Sequence, residues 1–421
     1  MAPLPPTSAP ATGATTGAST PSHPYRWAMM FGVWLLYYTF GLTMASLAPL
    51  VGVIEADLGI NHIGMGTILG AWPVVYIAAS APCGMLLDRF GPRRMLFCAT
   101  LVIAFSGVLR GLSEGYFGLL LAIVVFGIGG PLVSAGAPKV ISLWFTGRDR
   151  GLAIGIYFTG NALGGITALS LTNSVMMPAF GGDWHMVMMC YAGFVLIGGI
   201  VWLLINLHPA AKSMERTLAA ETKEPFMQVL MELIRLPVVR LILTMGIFIL
   251  FFNHGFNNWL PTILQEGGMS LTEAGYWASI PTGFGMISAL VLPRLATRDR
   301  RDKILFGLFL CAACATFLIY AATGPLLLLG LVMQGMCRGA MTSISILILM
   351  DLDDGDTRRV GAASGLYFSA AEVGGALGPV SMGILAEATG SFTVPIFMMT
   401  GVTVILMLLL ARLRYITRRR G

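Results

Sequence analysis

Gly84-Met-Leu-Leu-Asp88-Arg89-Phe-Gly91-Pro-Arg93-Arg94 is the stretch on which the rest of the chain can be read. A long apolar run ends at about residue 87 and another begins at about 95, so these residues form a short polar loop between two hydrophobic helices. Three arginines fall within the six positions 89–94, Asp88 sits where the preceding helix ends, and glycines stand at 84 and 91. Loops on the inner side of a membrane collect arginine in any case. The ordered Gly, Asp and Gly positions are what loop chemistry alone does not explain.

Composition sets the class. Hydrophobic residues make up 56% of the 421 and charged residues 11%, with mean hydropathy +0.80. Soluble domains carry about 25% charged residues, so this is an all-α, polytopic membrane protein whose first partner is the lipid bilayer. The net charge of +6 raises nucleic acid as a partner, but the placement of the cations excludes it. The six cysteines (83, 98, 190, 311, 314 and 337) all lie inside apolar runs. Cys311-Ala-Ala-Cys314 has redox or metal spacing, yet it has no histidine or acidic neighbour and reads as two small packing residues. No disulfide framework, metal site or cofactor is expected.

Residues 1–24 are rich in Pro, Ala, Thr, Ser and Gly without periodicity, and read as a disordered tail. The tail lacks the charged start of a signal peptide, so no cleavage is expected. Apolar runs follow at about 27–54, 62–87, 95–113, 116–145, 151–177 and 185–207, and again at about 238–264, 272–293, 304–322, 325–350, 360–387 and 391–413. A bilayer requires about 20 apolar residues per helix, so the reading is twelve transmembrane helices. They group into halves at 25–207 and 238–413, joined by a polar linker at 208–237 and followed by a basic tail at 414–421.

With both termini in the cytoplasm, 23 of the 26 Lys and Arg residues fall on the inner side. That asymmetry orients the chain in a cell (inner) membrane and explains its basicity. Arg110 stands near the outer face, while Lys139 and Arg338 remain within helices.

The halves repeat each other, as in many transporter folds. Gly155-Ile-Tyr157-Phe158-Thr159-Gly160-Asn161-Ala-Leu-Gly164-Gly165 lies over Gly365-Leu-Tyr367-Phe368-Ser369-Ala370-Ala371-Glu372-Val-Gly374-Gly375 at an offset of 210, and basic residues (Arg148 and Arg150; Arg358 and Arg359) precede each copy. Tyr37-Tyr38-Thr39-Phe40-Gly41 matches Phe251-Phe252-Asn253-His254-Gly255, and Trp72-Pro73 matches Ile280-Pro281. The second copy of the opening loop, Arg294 to Lys303, keeps the charge and loses the Gly and Asp pattern.

The G-x-L-x-D-R-x-G-x-R-R spacing of the opening loop resembles the loop between helices 2 and 3 of the major facilitator superfamily of secondary transporters. The resemblance, which covers about 27–413, implies that Gly84, Asp88, Arg89, Gly91, Arg93 and Arg94 form a latch between the halves in one state. It also implies that helices 1, 4, 7 and 10 line a central cavity. A carboxylate at Asp88 can pair with arginines or cap the amino end of helix 11.

Charges inside the membrane cost at least about 2.5 kcal/mol each at mid-helix. Arg338 in helix 10, Glu372 in helix 11 and His254 in helix 7 therefore stand out. Arg338, His254, Asn253 and Asn257 are substrate-binding candidates, with Tyr37, Trp72, Tyr157 and Tyr367 as aromatic lining. Glu372 and His254 are the candidates for carrying a proton. The competing reading is a structural Arg338–Glu372 pair, and Lys139 can snorkel to the inner edge. Charges present in one half alone, however, look like substrate or coupling groups added to a symmetric scaffold.

Within the superfamily, Asn257-Asn258-Trp259-Leu260-Pro261-Thr262-Ile263-Leu264 with Gly268-Met269-Ser270 is similar to the helix 7 end of the cyanate and nitroimidazole transporter branch. That branch implies a small organic or inorganic anion. Drug/proton antiporters carry G-x-x-x-G-P-x-x-G-G in helix 5, and here Ile156 and Asn161 replace its first Gly and its Pro; the antiporters' arginine early in helix 4 is also missing. Gly160-Asn161 with Gly164-Gly165 is similar to nitrate carriers, but the arginines these carry in helices 2 and 8 are absent. The expectation is a secondary active transporter, a monomer, taking up a small anionic solute (organic anion or cyanate-like) with protons. The alternatives are an exporter of a metabolite or drug, and a non-transporting membrane sensor. No nucleophile–base set or phosphate-binding Gly-Lys-Ser/Thr loop appears, so neither an enzyme nor ATP use is expected.

Overall fold

The computed structural model describes residues 24–211, 231–232, 234–297, 299–321, 323–350 and 357–418. Residues 1–23 of the expected tail and most of the central linker, 212–230, lie outside them, as do the side chains of Arg148, Arg358 and Arg359. Among the described residues, twelve helices are long and apolar enough to cross a membrane: α1 (Arg26–Leu58), α2 (His62–Phe90), α3 (Pro92–Gly111), α4 (Tyr116–Trp144), α5 (Asp149–Ala179), α6 (Trp184–Ile205), α7 (Pro237–Glu266), α8 (Leu271–Leu295), α9 (Arg301–Ala321), α10 (Gly324–Leu349), α11 (Gly365–Thr389) and α12 (Thr393–Thr417). Each expected run coincides with one helix to within about five residues at either end, because continuous apolar sequence leaves the backbone no partner in lipid except its own helix.

Turn chemistry ends the helices where the sequence turns polar. The Asn61 side chain accepts from Gly64 N and starts α2, Asp183 caps α6, and Ser270 with Glu273 forms a capping box on α8. Gly91, at φ 80°, makes the sharp turn from α2 into α3 that the opening loop requires. The regular helix of α1 stops at Ala45, passes through a 3-10 turn at Ala48–Leu50, and resumes at Val51. Pro49 lacks an N–H there, so the carbonyl four residues earlier is not served by the ladder.

Packing follows the internal repeat. α1 packs on α5 as α7 packs on α11, α2 on α4 as α8 on α10, and α3 on α4 and α6 as α9 on α10 and α12. The paired Gly-Gly positions explain the closest contacts. A Cβ at Gly164 would fall on the Tyr38 carbonyl oxygen, and one at Gly374 on the Ile247 carbonyl oxygen. Missing side chains let these backbones touch.

Contacts between the halves run through α2 with α11 and α5 with α8. They are dense at the end of the bundle away from the arginine-rich loops. There His62 N donates to Glu387 Oε2 at 3.0 Å and Asn173 Nδ2 to the Leu271 carbonyl at 3.2 Å. At the arginine-rich end, Asp149, Gly151 and Leu152 of α5 and Arg294 of α8 line a cavity of about 720 Å³. Among the described residues, the halves are thus joined at one end and part around a cavity at the basic one.

Candidate functional site

The apolar sequence of α7 is interrupted by Asn253-His254-Gly255-Phe256-Asn257-Asn258. His254 and Asn257, three residues apart, project from neighbouring positions on one helix face. α10 crosses that face and brings Arg338, which donates from a terminal guanidinium nitrogen to Asn257 Oδ1 at 2.7 Å. α11 brings Glu372, buried at 7% exposure, with Oε2 3.9 Å from His254 Nδ1.

The alternative Arg338–Glu372 pair is corrected by this geometry. The carboxylate faces His254, and among the described residues no ion pair joins it to Arg338. The cause is helix placement. α11 packs mainly on α7 and α2, whereas α10 packs on α8 and α9, so Glu372 faces α7.

The first half closes over this polar set with rings. The Trp72 indole stacks on the His254 imidazole, centroids 5.4 Å apart and planes 27° from parallel. Trp72 also meets Tyr76 at 6.0 Å and Phe126 at 5.9 Å, and Phe126 stacks on Phe40 at 5.3 Å. His254 occupies the repeat position of Phe40, so one symmetric slot is aromatic in one half and ionisable in the other.

Several buried polar atoms of the second half have no hydrogen-bond partner among the described residues: Glu372 Oε2, His254 Nδ1, Asn253 Oδ1 and both amide atoms of Gln334. Each such group costs about 1–3 kcal/mol when left unpaired. Fully buried Gln334 stands four residues before Arg338, hence on the same face of α10. Sequence reasoning passed over it, although an amide in the middle of an apolar run was the available signal.

Other expected site residues sit elsewhere. Tyr157 and Tyr367 are 1% and 0% exposed. Tyr157 meets Tyr37 edge-on at 4.7 Å between α5 and α1, and Tyr367 packs against Gly246 between α11 and α7. These three tyrosines fill helix interfaces rather than the face shared by the two halves.

In the loop, Asp88 Oδ1 accepts from Lys139 Nζ at 2.6 Å, so a lysine from α4 holds the carboxylate and Lys139 does not merely snorkel. Residues 351–356, ahead of α11, lie outside the described residues, and with them the expected contact of Asp88 with that helix end. Arg89 lies over the Phe90 ring at 5.3 Å, while the Arg93 carbonyl accepts from Trp202 Nε1 at 3.0 Å and anchors the loop to α6. Gly84 is half-buried with open space around it, and Arg94 is exposed.

Arg110, expected near the outer face, is buried at 1% exposure. It donates to the Thr43 carbonyl at 2.7 Å and to Ser46 Oγ at 2.9 Å, beside the interruption of α1, and lies over the Phe126 ring at 5.1 Å. It thereby ties the α1 break to the ring wall behind Trp72.

The family model described as Major Facilitator Superfamily matches residues 29–352 and 299–421. The chain is similar to "Probable galactarate/D-glucarate transporter GudP" of Bacillus subtilis, 25% identical over 87% of each chain. It is also similar to "Quinolone resistance transporter" of Acinetobacter baumannii, 26% identical over 82% of this chain and 83% of the other. A crystal structure of a mutant of the nucleoside transporter NupG superposes with a TM-score of 0.76 at 13% identity, covering 91% of this chain and 99% of that one.

Proposed function

The chain belongs to the major facilitator superfamily, and we propose that within it the protein is a secondary active carrier taking up a small organic anion with protons by alternating access. The observation that carries this reading is Arg338. Its guanidinium stays charged at any physiological pH, lies inside the membrane-spanning part of the bundle, and bonds to a neutral amide, Asn257. A bound carboxylate would supply the opposite charge through two parallel hydrogen bonds. The relative named for galactarate and D-glucarate supports an organic acid.

Glu372 and His254 give the same site a proton-accepting pair. A proton held there would be gained and lost as the site alternates between the two sides. The cytoplasm lies at the arginine-rich end in this reading, so the present form opens inward, and the loop with Asp88 and Lys139 tunes the balance of states. The branch resemblance at 257–264 does not favour a cyanate-like ion. Trp259 is fully buried and donates to the Pro379 carbonyl at 3.0 Å, so that part of the motif serves packing.

The test is accumulation of labelled organic acids by proteoliposomes under an inward proton gradient. Accumulation abolished by a protonophore is expected; accumulation of a cation instead would overturn the reading. Export is the second reading, favoured by the quinolone resistance relative, and the same vesicles would show it as proton-driven loss of preloaded solute.

A further inference from the structure

The candidate site is chemically two-sided. Around Trp72 and His254 the charged and unpaired polar atoms come from the second half: Arg338, Gln334, His254, Asn253 and Glu372. In the first half, Arg110 lies behind the ring of Phe126 and is engaged by Thr43 and Ser46, and the unpaired Asn161 Oδ1 lies beside Gly41 between α5 and α1. The first half contributes rings, with Trp72, Tyr76, Phe126 and Phe40 joined edge to face or face to face at 5.3–6.0 Å. The hydroxyls of the first half near this wall are already engaged. Tyr76 and Ser134 bond each other at 2.6 Å, while Thr39 and Thr43 donate to the carbonyls of Leu36 (3.0 Å) and Thr39 (2.9 Å) within α1.

A polyhydroxylated acid would need partners for each of its hydroxyls on both sides, and a site that leaves hydroxyls unpaired selects against them. A flat apolar body matches the ring wall, because aromatic groups gain from edge or offset contact with one another. We infer that the preferred substrate is an aromatic or similarly flat, apolar monocarboxylate rather than a sugar acid, its carboxylate held by Arg338 and Asn257 and its body laid against Trp72. This rests on the organic-anion reading proposed above and narrows it. The two halves then divide recognition, one holding charge and the other holding shape.

The experiment is equilibrium binding of benzoate, glucarate, acetate and benzyl alcohol to the full-length protein in detergent. Benzoate is expected to bind about ten-fold or more tightly than glucarate and benzyl alcohol, since each hydroxyl left unpaired and each missing charge weakens binding. Trp72→Ala should weaken benzoate by about five- to ten-fold and acetate by clearly less, and Trp72→Phe should recover most of the loss. Recovery in Trp72→Phe, with a parental melting temperature for Trp72→Ala, separates loss of the ring from loss of the fold. Glucarate binding more tightly than benzoate overturns this inference and leaves the organic-anion reading standing. Benzyl alcohol binding as tightly as benzoate overturns the organic-anion reading itself. Absence of benzoate binding, or a Trp72→Ala protein with wild-type benzoate affinity, also refutes the inference.

Discussion

Asn257→Ala removes the acceptor of the 2.7 Å bond from Arg338 and leaves the guanidinium where it is. A hydrogen bond with one charged partner contributes about 1.5–3 kcal/mol net, and Arg338 is only partly exposed, so solvent replaces the amide poorly. Each single change, Asn257→Ala and Arg338→Ala, should therefore destabilise the protein. The double change should cost less than their sum by about 1.5–3 kcal/mol, the pair's coupling. The parallel cycle for Arg338 and Glu372 should return a clearly smaller coupling, because no hydrogen bond or ion pair joins those two side chains among the described contacts. The assay is unfolding in mixed micelles of rising denaturing strength, with folded fraction followed by tryptophan fluorescence. An Arg338–Glu372 coupling equal to the Arg338–Asn257 one would refute the site geometry and restore the purely structural pair.

Asp88→Asn breaks a partly exposed ion pair to Lys139, of the kind that contributes about 0.2–1 kcal/mol; transport should slow by about two- to five-fold at normal expression, and an unchanged rate in vesicles would remove the loop from the conformational balance. Glu372→Gln should abolish accumulation driven by a pH gradient while leaving solute exchange intact, and persistent gradient-driven accumulation would exclude Glu372 as proton carrier. Gly374→Val places a side chain on the Ile247 carbonyl and should cost at least about 1–3 kcal/mol. Gly165→Ala, where the nearest atom to a Cβ lies 3.8 Å away, should fold like the parent; thermal stability in detergent compares the two.

The fold was legible because its determinants are local and repeated. Apolar run lengths gave the helices, Gly91 and the arginines gave the first loop, and Gly164-Gly165 over Gly374-Gly375 gave the duplicated close packing. Expectation and structure part where a side chain's partner depends on how helices are rotated and placed, which no run length encodes. Lys139 and Asp88 are 51 residues apart, and nothing in either run announces that α2 and α4 turn those two positions together. Arg110 read as a charge near the outer surface because it lies late in an apolar run. Its partners, Thr43 and Ser46, lie just before a proline-broken turn of another helix, and Pro49 marks that break. The competing reading, a structural Arg338–Glu372 pair, rests on the adjacency of helices 10 and 11 in the chain, whereas α11 owes its position to α7 and α2. The stack of Trp72 on His254 crosses from one half to the other, and neither repeat predicts it.

The most direct test of an anion carrier centred on Arg338 is ligand affinity in the wild type, Arg338→Lys and Arg338→Ala proteins, measured with whichever organic acid the wild type binds most tightly. Truncating one member of a buried, hydrogen-bonded charge contact costs about 2–5 kcal/mol, or roughly 30-fold or more in affinity. The account predicts at least that loss for Arg338→Ala, with Arg338→Lys between the two because lysine keeps the charge and loses the planar fork. Wild-type affinity in a folded Arg338→Ala protein would contradict the account.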